Sequence, residues 1–206
     1  MSRNAFNESE VFLMKNWSAA CRLEDAMNTI RKERYAALLD EAARMIVDRL
    51  GKDSYVYEVY AYQNWDDGFI MYWMKEWESS NDKGECPVFG IGGLRLEHLF
   101  AEDGSSDQSS VPYAYLYTKG LRKIGCDLEN FRVELEKAAA KILQEFPKRS
   151  EEDENIPVCY NLPEGRSELK RLLLDDVSSF LNVLVEHGVR LADLAPIVTK
   201  VFLKGK

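Results

Sequence analysis

Histidine is scarce, the cysteines are scattered and bases fall short of acids. Each shortage removes a class of function. Two histidines, His98 and His187, in 206 residues exclude a three-histidine metal site within one chain. A mixed carboxylate–histidine site is the metal chemistry left open, and neither metal ligands nor a cofactor are assigned. The four cysteines, Cys21, Cys86, Cys126 and Cys159, form no CxxC or CxH spacing, so the zinc and dithiol geometries are missing. Lys and Arg number 27 against 35 Asp and Glu, a formal net charge of −8. A chain built to wrap nucleic acid needs the opposite balance to displace counterions from phosphate, so no nucleic-acid partner is expected.

Long apolar runs are missing as well. No window approaches the roughly 20 apolar residues that span a bilayer, so no membrane association is expected. Met1 to Glu10 is polar and is followed only by Val11 to Met14, which gives no export signal. The expectation is a cytoplasmic protein with free thiols. No Gly-x-Ser-x-Gly elbow and no Glu-x-Lys or Asp-x-Lys strand motif occurs. Gly90-Ile91-Gly92-Gly93 lacks both dinucleotide-binding and P-loop spacing, and it reads as a bulge or a close backbone approach.

What the chain does contain is strong periodicity. From Ser18 to Leu50 apolar residues recur at three- and four-residue steps, predicting one or two helices ended by Gly51. Tyr55 to Tyr62 and Phe69 to Trp77 alternate as strands around Asp67-Gly68, a hairpin signature. Pro87 to Leu94 and Pro112 to Lys119 read as two more strands, with a helical turn over Leu96 to Phe100 and a loop over Ala101 to Ser110. A helix is expected from Leu128 to Phe146, a charged linker over Pro147 to Asn155, and a helix over Pro163 to Glu186 stopped by His187-Gly188. Leu191 to Leu203 makes a final shorter helix.

Strands clustered together and flanked by helices give the α+β class, with an antiparallel sheet of about four strands. A long amino-terminal helical segment, a helix after the sheet and a carboxy-terminal helical pair flank it. One domain over 1–206 accounts for the length, with 163–206 as a helical appendage packed on the core or on a second subunit.

Aromatic residues on the strands are the most distinctive feature. They read as ordinary core, as a protein-binding surface, or as a base-stacking platform, the last disfavoured by the acidic balance. The leading expectation is a non-enzymatic intracellular protein that binds another protein. Its binding residues would be Tyr57, Tyr60, Tyr62, Trp65, Trp73, Trp77 and Tyr115 of the sheet, or the carboxy-terminal helices, which could also form a homodimer. The alternative is an enzyme or small-ligand protein with a pocket between sheet and helices. General acid–base work there would fall to Glu58, Asp66, Asp67 or His98, and Glu58 attracts attention because it alternates with aromatics.

Overall fold

A computed structural model describes residues 8–61, 68–78, 86–100, 111–118, 156–204 and, between these, 131, 133–137 and 140, with side chains to residue 200. The aromatic and β-branched runs form one sheet of five strands: β1 (Tyr55–Tyr60), β2 (Phe69–Met74), β3 (Val88–Gly92), β4 (Tyr113–Tyr117) and β5 (Val158–Asn161). Their spatial order is their chain order, and each is antiparallel to the next. The α+β class and the hairpin of β1 and β2 are as the sequence indicates; β5 is the extra strand. Its four residues pair Val158 to Asn161 with Leu116 to Tyr113 and extend the sheet beyond β4.

Register sorts the side chains into two faces. Tyr57, Tyr72, Phe89, Leu116 and Val158 follow one another across the helix-covered face. Phe69, Met71, Trp73, Gly90 and Tyr115 lie on the other. On the helix side, the Tyr72 and Phe89 rings stand 5.6 Å apart, and the Tyr72 hydroxyl donates to the Gly188 carbonyl at 2.6 Å.

The helices are α1 (Glu8–Lys15), α2 (Trp17–Thr29), α3 (Ala36–Leu50), the short α4 (Leu96–Leu99), α5 (Gly165–Asp175), α6 (Val177–Leu191) and α7 (Ala195–Lys204). Residues 131, 133–137 and 140 are also helical. Between α2 and α3 the chain passes through a six-residue π-helical stretch, Ile30–Tyr35. Burial changes there. No residue of α1 or α2 is buried, whereas α3 buries Leu39, Ala42, Ala43, Ile46 and Val47 against the sheet and α6.

Two boundaries correct the sequence reading. The helix expected over Pro163 to Glu186 is broken at Asp176 and does not stop at His187-Gly188. Asp176 accepts from the Ser179 backbone N–H (3.1 Å) and hydroxyl (2.6 Å), capping α6, which then runs through Gly188. The missing Cβ of Gly188 admits Ile46 at the α3–α6 crossing. The strand expected to reach Trp77 instead ends at Met74 and turns through a 3-10 helix, Lys75–Trp77. Strict alternation would place Trp77 with Phe69 and Trp73. The tight turn puts it into the core, against Phe89 (5.6 Å), with its indole N–H donating to Thr199 Oγ1 (2.9 Å).

Candidate functional site

Three-four spacing gives α2 an apolar stripe, Ala20-Leu23-Met27, continued by Ile30 of the π-helical stretch, with Trp17 one turn earlier. Amphipathic helices ordinarily bury such a stripe. Here Trp17 remains 65% exposed and Leu23 63%, and Phe12, Leu13 and Met14 of α1 are exposed as well. The stripe runs into a hollow of about 440 Å³ at the foot of the helix. Met27, Ile30, Tyr35 and Leu38 form one wall; Leu96 and Phe100 of the α4 turn and Leu173 and Leu174 of α5 form the other.

Polar contacts lie around the rim of this hollow. The Tyr35 hydroxyl donates to the Leu94 carbonyl at 2.7 Å, fixing the π-helical stretch against the end of β3. Arg31 bridges to Glu97 at 2.6 Å across the rim, and the Lys170 ammonium lies 5.1 Å from the Phe100 ring centre. Such half-exposed pairs contribute about 0–1 kcal/mol each, so they position the rim more than they stabilise the fold. π-Helical turns are rare and gather at functional sites.

A second, more polar hollow of about 410 Å³ lies where α3, the start of α5 and the end of α6 meet. Arg49, Glu164, Glu186, His187, Arg190 and Asp193 line it. His187 is buried. Its Nε2 lies 3.3 Å from the Glu164 carboxylate and its Nδ1 3.3 Å from the Tyr160 hydroxyl. A carboxylate only accepts, so Nε2 carries the proton and Nδ1 receives the tyrosine O–H. Burial pushes the His187 pKa below its ordinary 6.5, against the opposing pull of Glu164. Burial also drives the Tyr160 hydroxyl well above its usual range. With both nitrogens engaged, the neutral imidazole works as a buried link between β5 and the α5 start.

The residues singled out from sequence are dispersed. Tyr62, Trp65, Asp66 and Asp67 lie outside the described residues. Glu58 is exposed on the edge strand β1 and accepts from the Tyr60 hydroxyl at 2.8 Å, so alternation with aromatics did not bury it. His98 is half-buried on α4, whose Leu96 and Glu97 line the apolar hollow. Tyr57 is half-buried, Tyr60 is exposed, and Trp73, Trp77 and Tyr115 are buried. Trp73 donates to the Glu78 carboxylate at 3.1 Å. Tyr115 lies on Gly90, where an added Cβ would overlap its ring, and meets Phe69 edge-on at 6.4 Å. Glycine here makes room for an aromatic ring.

Among the described residues no three His, Cys, Asp or Glu groups gather to hold a metal ion. No helix among them is long and apolar enough to cross a membrane. Comparison with protein families, with curated proteins and with solved structures gave no match.

Proposed function

We propose that this protein acts by binding another polypeptide. The docking element is the amino-terminal helix pair α1–α2 together with the apolar hollow at its foot. The observation that carries this reading is the exposed stripe of α2: a fully buried large apolar side chain contributes roughly 1.5–3 kcal/mol, and α2 leaves Trp17, Leu23 and Met27 out of the core. Large contiguous apolar surface of this kind marks interaction sites. The sheet aromatics named from sequence are weaker candidates, since Trp73, Trp77 and Tyr115 are consumed by packing. An acid–base role for His187 is weaker too, because Tyr160 and Glu164 already engage both ring nitrogens.

A cytoplasmic setting suits the cysteines. Cys21 and Cys86 are free thiols, and burial pushes the Cys86 thiol up to about 11, where it is unreactive at neutral pH. The test is Leu174→p-benzoylphenylalanine, which places a photo-crosslinker on the wall of the hollow. Irradiation of the full chain in its source cells should yield an adduct to a polypeptide identifiable by peptide mapping. Recovery of the chain with no polypeptide adduct would defeat the proposal.

A further inference from the structure

We infer that the hollow takes an acidic segment of a partner polypeptide, one whose bulky apolar side chains are flanked by Asp or Glu; the inference rests on the docking reading above. The apolar walls do not choose between partners, since any bulky apolar residue suits them. Charge around the rim does. The chain as a whole is acidic, with a formal net charge of −8, and the rim has the opposite sign. Arg31 and Arg34 line the hollow, and Glu97 is the one carboxylate among the described residues that does so. Glu97 is already engaged. One of its oxygens lies 2.6 Å from Arg31 and the other 3.8 Å from Arg95, so a single carboxylate serves two guanidiniums.

Arg34 of the π-helical stretch and Lys170 of α5 form no ion pair among the described residues. Arg34 belongs to the wall of Met27, Ile30 and Leu38; Lys170 lies over Phe100 on the facing wall. Glu33 and Asp175, the acids beside these walls in sequence, do not line the hollow. Two cations without carboxylates thus stand on either side of an apolar hollow. They fit an occupant with carboxylates on either side of an apolar side chain, and a Lys- or Arg-flanked segment would meet like charge. Exposed ion pairs are individually weak, so apolar burial supplies the affinity while the rim selects the partner and speeds its approach. From the hollow the exposed stripe continues to Trp17, about 20 Å along α2, which a polypeptide segment spans and a small organic anion does not.

Selection of a random-peptide phage library on the purified full chain tests this. The selected peptides should carry bulky apolar residues with Asp and Glu in excess of Lys and Arg, and should photo-cross-link to Leu174→p-benzoylphenylalanine. Their affinity should fall about tenfold or more in a chain carrying Arg34→Glu and Lys170→Glu. It should change little with Lys52→Glu and Lys75→Glu, an equal change of charge beyond the other end of α3, where the Lys75 ammonium donates to the Lys52 carbonyl. Circular dichroism of the first variant should match the parent, because neither Arg34 nor Lys170 is buried and neither holds an ion pair among the described residues. Cross-linked peptides that are neutral or basic overturn the inference, as does an affinity that falls equally in both variants or in neither; the docking reading then stands. A selection in which no peptide cross-links at position 174 also overturns it, and the docking reading then rests on the adduct formed in the source cells.

Discussion

Gly188, in the last turn of α6, lies so close to Ile46 of α3 that a Cβ built on it would stand 2.6 Å from Ile46 Cδ1 and 2.9 Å from Cγ1. Ile46 is fully buried, and the Gly188 carbonyl accepts the Tyr72 hydroxyl from the sheet below. One residue therefore sets the crossing of two helices and their height above β2.

Two effects compete when Gly188 becomes alanine. Helix propensity favours alanine by about 1 kcal/mol. Forcing a methyl into a packed crossing costs about 1–3 kcal/mol, because the fully buried Ile46 must shift to admit it. The clash should win, leaving Gly188→Ala destabilised by up to roughly 2 kcal/mol in urea unfolding. Adding Ile46→Ala should remove the clash, so the double variant loses less than the two single losses combined. A Gly188→Ala protein as stable as the parent would mean that the helices can separate without cost.

A second glycine carries a different constraint. Gly90 sits in β3 opposite Tyr115 of β4, whose ring covers it. Gly90→Ala should destabilise by roughly 1–3 kcal/mol, despite the lower backbone entropy of alanine, because the tyrosine must leave a position where it is 7% exposed. In a Tyr115→Ala background the same change should be near neutral. A double-mutant cycle reads the difference as a coupling of roughly 0.5–3 kcal/mol. Strictly additive losses would show that ring and glycine do not constrain each other.

These two glycines illustrate what the sequence made legible. That Gly90 and Gly92 sit in a strand was readable from their context, but the bulge or close backbone approach expected there is instead a regular strand with aromatic rings over the glycines. Which ring packs there was not readable, because Tyr115 lies in another strand whose register depends on the assembled sheet. Gly188 misled for a physical reason. His187-Gly188 resembles a helix stop locally, yet tertiary contact with Ile46 and Tyr72 rewards continuing the helix, and the Asp176–Ser179 cap sets the start elsewhere. Trp77 misled through a three-residue 3-10 turn that breaks alternation. The amphipathic stripe of α2 was plain in the sequence as a helix. Its exposure was invisible there, because periodicity shows which face is apolar and not whether anything covers it. His187 sits at the spacing of Leu184 and Leu191 on the buried stripe of α6, which was its only legible signal. Its partners Tyr160 and Glu164 come from two other parts of the chain.

The buried histidine gives a prediction about acid. Tyr160 of β5 faces Nδ1, Glu164 ahead of α5 faces Nε2, and Glu186 and Arg190 flank it on α6 itself. Desolvation dominates this set and holds the native pKa below 6.5. The unfolded chain therefore takes up a proton first as pH falls. The contribution of this group to stability is complete above about pH 6.5 and declines as pH drops from there through the lower native value. Urea unfolding at intervals from about pH 7.5 to about pH 5 should show the parent losing stability over this window. His187→Gln keeps an amide to donate toward Glu164 but cannot titrate, so its curve should be flatter there, whatever its absolute stability. Glu164→Gln removes the carboxylate hydrogen-bonded to Nε2, which raises the pKa, so it should lower the native pKa further and steepen the loss. Parallel curves for parent and His187→Gln would mean that the imidazole titrates alike in the folded and unfolded chain, and that the link from β5 to α5 is wet rather than buried.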